Sequence, residues 1–254
     1  MDENKSRVQA AWRKAVEATE IDDARALLEI MRETPEIATL KSTSPGDWAD
    51  EKRSIFHEAA LRDSVACVDL LVREGLDMHE IWGRKSGRDK YEHTPLTLVI
   101  TCESQNKKNL MMAALMSKPP SKGLTASRGW ELAMMAAVRQ SEASTIGSLY
   151  AHLGSEWSQE WSKAIDGQKC NLLHLAADDG CMEVLDLLLE WPGMEECAGQ
   201  YNAHNKTPSE LALRRGHEEF ASKLTAWLAA TKDAVEIAAV IEEPRAAAGQ
   251  KSRL

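Results

Sequence analysis

A helical chain assembled from repeated helix–turn–helix units is the fold class this sequence predicts, and three observations predict it. One short opening recurs: Ser54-Ile55-Phe56-His57-Glu58-Ala59-Ala60, Thr94-Pro95-Leu96, Asn171-Leu172-Leu173-His174-Leu175-Ala176-Ala177 and Thr207-Pro208-Ser209-Glu210-Leu211-Ala212. Each opening runs into a short polar break and then a second apolar run. These runs are Val68 to Leu71, Leu110 to Ala113, Val184 to Leu189 and Phe220 to Leu224. Within the third run, Val184, Leu187 and Leu188 stand at i, i+3 and i+4, one apolar stripe of a helix. A single such hairpin cannot bury both its faces, so the pattern predicts stacking.

Taken along the chain, the first element is a helical pattern from Ala11 to Ile30 with Trp12, Val16, Leu27 and Leu28 apolar. It predicts a capping pair of helices and a connector within residues 1–50. Units follow over residues 51–228. Ser54, Thr94 and Thr207 are residues that cap helices, and Pro95 and Pro208 suit a first turn because the missing N–H has no intrahelical partner there. The Ala-Ala pairs keep the first helix thin enough for close approach. Gly180 ends the first helix of its unit in a left-handed conformation. The interval between Thr94 and Asn171 leaves room for a fifth, degenerate unit, Trp130 to Ala137 followed by Ile146, Leu149 and Leu153, near 130–153.

Three connectors are longer than the repeat needs. Ile81 to His93 is a glycine-rich basic finger, with Arg84, Lys85, Arg88 and Lys90 set against Asp89 and Glu92. Ser117 to Gly123 is rich in turn formers. Gly154 to Gln168 carries Trp157 and Trp161 at i and i+4, a short helix packed on the stack. Residues 229–254 read as one more helix, ending at Pro244, and a disordered tail.

These openings resemble the ankyrin repeat, whose pattern is Thr-Pro-Leu-His-x-Ala-Ala, then Gly-His, then a Val/Leu-rich helix, with a period of about 33 residues. Asn171–Glu190 and Asn202–His217 carry the resemblance best. It implies an all-α ankyrin-repeat solenoid whose finger loops and first helices present a concave binding face. It also implies that His57 and His174 bond backbone groups of the neighbouring loop, and that Asn202 stands at the turn asparagine. There the side chain is expected to serve the turn through hydrogen bonds to the backbone.

Composition narrows the function. A net charge of −9 disfavours a nucleic-acid or anionic-membrane surface. No run approaches the ~20 apolar residues of a transmembrane helix, and the charged first dozen residues show no signal peptide. Five cysteines without framework spacing (Cys67, Cys102, Cys170, Cys181, Cys197) read as reduced thiols of an intracellular protein. No phosphate loop or nucleophile elbow occurs, and Cys170, His174 and Cys181 lack the paired spacing of a zinc site. Asp178 and Asp179 sit in a solvated break, unsuited to acid–base work.

No catalytic residue, metal, cofactor or small-molecule substrate is therefore expected. The expectation is a non-catalytic adaptor or scaffold that binds another protein, one with an acidic segment. Its contact residues are Trp82, Arg84, Lys85, Arg88, Lys90 and Tyr91 of the finger, with Tyr201 and His204 of a later one. An alternative is a pathogen or phage effector or inhibitor that occludes a target protein with the same surface. A cytoplasmic location is expected. The terminal Ser252-Arg253-Leu254 resembles a peroxisomal address, or a docking peptide for a PDZ domain.

Overall fold

The computed structural model of the chain describes residues 2–41, 53–86, 89–118, 124–154 and 165–231, with residues 2, 83–86, 89–91, 124 and 125 described through their backbone alone. The described chain is predominantly helical and divides into two compact units. The first comprises Met1–Gln140 and Ser144–Leu153, the second Ser141–Ala143 and Gly154–Leu254.

The first unit begins with α1 (Asp2–Glu20), α2 (Ala24–Glu33) and a 3₁₀ turn (Pro35–Ala38), in the stretch read from the sequence as a capping pair. Then come α3 (Ile55–Leu61) and α4 (Val65–Arg73), a hairpin of β1 (Trp82–Ser86) and β2 (Asp89–His93), α5 (Pro95–Ile100) and α6 (Gln105–Leu115). The unit closes with α7 (Leu124–Arg139) and α8 (Ala143–Leu153). First helices pack on first helices, α1 on α3, α3 on α5 and α5 on α7, while α2 packs on α4 and α4 on α6. That layering explains why α5 is buried in all six residues: α3, α6 and α7 cover it from three sides. The capping pair is fastened to α4 by polar groups as well as by packing. Asp22 accepts the N–H groups of Ala66 and Cys67 at 3.2 and 3.0 Å, satisfying the free donors at the start of α4. Ser64 donates to the Thr19 carbonyl.

The second unit holds α9 (Leu172–Asp179), α10 (Met182–Leu189), α11 (Met194–Gly199), α12 (Pro208–Arg215) and a helix over 218–231. The inner helix α9 packs against α10, α11 and α12 and buries Leu172 through Ala177 without a break. Phe220 and Leu224 bring the last helix into this core.

The basic finger differs from the loop read from the sequence, because its strands pair in antiparallel register, Trp82 opposite His93 through Ser86 opposite Asp89. The connector residues 119–123, Trp157, Trp161, and the segment from 232 through Pro244 to the terminus lie outside the described residues. Among the described residues no helix is long and apolar enough to cross a membrane.

Candidate interaction surface

In the second unit, two turns are built alike from sequence upward. Asp166 accepts the N–H groups of Gln168 and Cys170 through one carboxylate oxygen, at 2.8 and 2.9 Å. Asn202 does the same for His204 and Lys206 through its amide oxygen, at 2.9 and 3.1 Å. Asn202 thus serves its turn as the sequence suggested. In each turn a later residue takes a left-handed conformation, Lys169 at φ +56° and Asn205 at +55°. The Ala203 N–H donates to the Gln168 carbonyl at 2.8 Å and ties one turn to the next. Tyr201 and His204 are exposed on the second turn, so this part of the expected contact surface stands in solvent.

Each turn leads into a helix whose start closes on itself. Asn171 accepts the His174 N–H at 3.1 Å, and the His174 ring nitrogen Nδ1 accepts the Asn171 N–H at 3.3 Å. Thr207 and Glu210 make the same reciprocal pair at 3.3 and 3.1 Å. The far ring nitrogen of His174 donates to the Lys206 carbonyl at 2.9 Å, bracing the neighbouring turn. Burial holds this imidazole below its ordinary value, opposed by the bond to Lys206 and the charge of Asp166. A neutral ring suits a residue with one donor and one acceptor to satisfy. His217 reaches back from the start of the last helix to the Asp178 carbonyl at 3.2 Å.

The first unit repeats this chemistry with different residues. Ser54 pairs reciprocally with His57, and His57 Nε2 donates to the Glu80 carbonyl at 3.0 Å. Burial pushes the His57 pKa from 6.5 to about 4, against the raising influence of Glu80. Thr94 pairs with Thr97 at 2.8 and 3.1 Å. In the second unit the carbonyl that accepts from the histidine belongs to Lys206, directly before the next cap, Thr207. In the first unit it belongs to Glu80, and Ile81–His93 intervenes before Thr94. The hairpin is therefore an insertion at one defined joint of an otherwise repeated frame.

That joint anchors the base of the hairpin. The Trp82 and His93 rings lie 5.3 Å apart, and the Arg53 guanidinium carbon lies 4.8 Å from the Trp82 centroid, a cation–π contact. His57 approaches Trp82 edge-on at 6.1 Å. Arg128 of α7 pairs with Glu92 at 3.0 Å and with Glu131 at 2.9 Å. Trp82 is half-buried at this base rather than at the tip. The register sets Arg84 opposite Tyr91 and Lys85 opposite Lys90. The side chains of Arg84, Lys85, Lys90 and Tyr91, and the whole of Arg88, lie outside the described residues. So do Ser252, Arg253 and Leu254.

Other residues of chemical interest are spent on structure. Glu58 is fully buried with Arg53 at 3.5 Å and with Arg62, whose other arm reaches Glu20 of α1 at 3.5 Å. Nothing in the opening Ser-Ile-Phe-His-Glu-Ala-Ala announced this; Arg53 and Arg62 flanking the opening were the available signal. Asp178 pairs with Arg215 at 2.6 Å on the surface. Burial raises the Cys67 and Cys197 thiols to about 12 and Cys102 to about 11, which leaves them unreactive. Cys170 precedes α9 and Cys181 caps α10, on separate elements. Among the described residues no three His, Cys, Asp or Glu side chains gather as for a metal ion. Compared with known proteins, the sequence matches no family model and no curated protein.

Proposed function

We propose that the chain is a non-catalytic interaction module of the ankyrin-repeat type, an adaptor or scaffold that binds a partner protein through its turns and its basic hairpin. The single observation that carries this reading is the repeated cap at the start of α3, α5, α9 and α12. From α3 and α9 a cap histidine donates to a carbonyl of the next turn, Glu80 and Lys206, and Asn202 closes the turn that leads into α12. A frame of this kind presents exposed tips without ordering them at the moment of binding, which lowers the entropic cost of association. The hairpin places four basic residues on a chain of net charge −9, which favours a partner with an acidic segment. Tyr201, of a residue type that anchors interfaces, and the exposed His204 beside it in the same turn add a second patch.

Affinity purification from the native cell, followed by mass spectrometry, identifies the partner. The double substitution Arg84→Glu and Arg88→Glu is expected to cut its recovery at least tenfold while the circular dichroism spectrum stays unchanged. Undiminished recovery removes the hairpin from the interface, and Tyr201→Ala with His204→Ala then tests the remaining patch.

A further inference from the structure

His79 is buried to 1% exposure, yet neither of its ring nitrogens has a hydrogen-bond partner among the described residues. Its ring meets Trp130 of α7 edge to face, with centroids 4.6 Å apart and planes at 62°. Trp130 also meets the ring of His152 of α8, at 5.6 Å and 49°, whose Nε2 likewise has no partner among the described residues. Trp130 itself is fully buried, and its indole N–H is likewise without a partner there. The backbone of α7 rests directly on the imidazole: a Cβ at Gly129 would stand 2.4 Å from His79 Nδ1. Only glycine lets the helix approach so closely. Two titratable rings thus contact one indole, and one of them is the seat of the helix.

We propose that this His79–Trp130–His152 stack is an acid-released latch, holding α7 against the turn of residues 76–80 while both imidazoles are neutral and letting it go when they take up protons. Such a proton would be a buried charge needing a counter-ion. The charged groups around it are already engaged or poorly placed. On the turn itself Asp77 spends one carboxylate oxygen on the His79 N–H at 2.8 Å, and Glu80 pairs with Lys41 at 2.7 Å. On α7, Arg128 and Glu131 pair with each other, and Arg128 also holds Glu92 of β2. The other titratable group of β2 near its base is His93, and Arg139 at the end of α7 adds positive charge beside it. On α8 the titratable groups are Tyr150 and His152, and α5 brings none. Among these groups only Asp77 acts to raise the His79 value, and burial outweighs it, leaving His79 at about 4 against an ordinary 6.5; burial lowers His152 as well. Release of α7 also loosens the Arg128–Glu92 tie, so the device reaches the base of the hairpin. It stands whether or not the hairpin binds a partner.

Hydrogen exchange of the full chain, read over α7 residues 126–138, tests the latch. With those two values for His79, the opening equilibrium rises about 30-fold between pH 7.5 and pH 5.0, so protection factors corrected for intrinsic rate should fall by that factor. His79→Leu should keep the protection at pH 7.5 and take away most of its fall at pH 5.0, leaving only the share that belongs to His152. Should that variant fail to fold, an NMR titration of the wild-type imidazole decides the matter. A His79 that titrates well below 6.5 supports the latch, and one that titrates at its ordinary value overturns it. Protection that is independent of pH in the wild type, or a full 30-fold fall retained in His79→Leu, overturns it equally.

Discussion

Gly180 and Gly216 end equivalent helices with φ of +69° and +88°, yet their surroundings differ. A Cβ at Gly180 would lie 2.4 Å from the His217 ring, whereas one at Gly216 would meet nothing within 4 Å. Gly216→Ala should therefore cost only the backbone strain, about 1 kcal/mol, and Gly180→Ala roughly 1–3 kcal/mol more as His217 is forced from the Asp178 carbonyl. Urea unfolding of the two variants checks the difference, and equal losses would contradict it. Histidine protonation bears on stability at the same scale. His57 and His79 fall from 6.5 to about 4 on folding, so the unfolded chain binds these protons more readily. Their contribution is complete above pH 6.5, drains away as pH falls toward 4, and is constant below that, on the order of 3 kcal/mol for each ring. Urea midpoints measured from pH 7.5 to 4 should decline accordingly, and His57→Gln should remove one share of the slope. Gly180, His174 and Asn202 were legible in the sequence because each is the residue type that its conformation demands. The corresponding left-handed positions of other turns are filled by Asp22 (φ +55°), Asp63 (+52°) and Ser141 (+53°), which hid the same geometry behind ordinary polar residues.

Among elements, the capping boxes carry the most local information. Asn171→Ala removes the acceptor for His174 and the donor to the Cys197 carbonyl at 2.8 Å, so two buried backbone groups lose partners. A loss of roughly 2–3 kcal/mol is expected in thermal or urea unfolding, against about 1 kcal/mol for the half-buried Thr207→Ala cap. The helices of the well-formed units were readable because apolar spacing, cap and break agree. The hairpin was not. Its strands are short, charged and interrupted by glycine, and the contacts that hold its base come from Arg53, His57 and Arg128, remote in sequence. The short helix α11 was missed because it is under two turns long: its three buried side chains, Met194, Cys197 and Ala198, stand at i, i+3 and i+4 but span too few residues to establish a period.

For the molecule, the recurring opening was visible by sliding the sequence over itself, and the buried alanines of α1, α3 and α7 keep those helices thin where they pack, while α5 fills its place with Leu96, Leu98, Val99 and Ile100. The division into two units was not visible, because the degenerate helices α7 and α8 match the pattern too weakly to mark where one ends. The pair α1 and α2 covers faces of α3 and α4 in the first unit. Removing residues 1–41 uncovers Cys67 and the faces of α3 and α4 that α1 and α2 cover, and strips Asp22 from the start of α4. That deletion should produce a chain that binds a hydrophobic dye and self-associates in light scattering, while a Gly-Ser replacement of residues 87 and 88 should do neither. The joint at which the hairpin enters has a consequence for how such a chain can vary. Trp82 and His93 face each other at its two ends, so the path leaves and rejoins the frame at nearly one point. Whatever lies between them can be lengthened, shortened or exchanged without altering the register of the helices on either side. The joint is a socket, and the identity of the insert is free to change while the frame stays as it is.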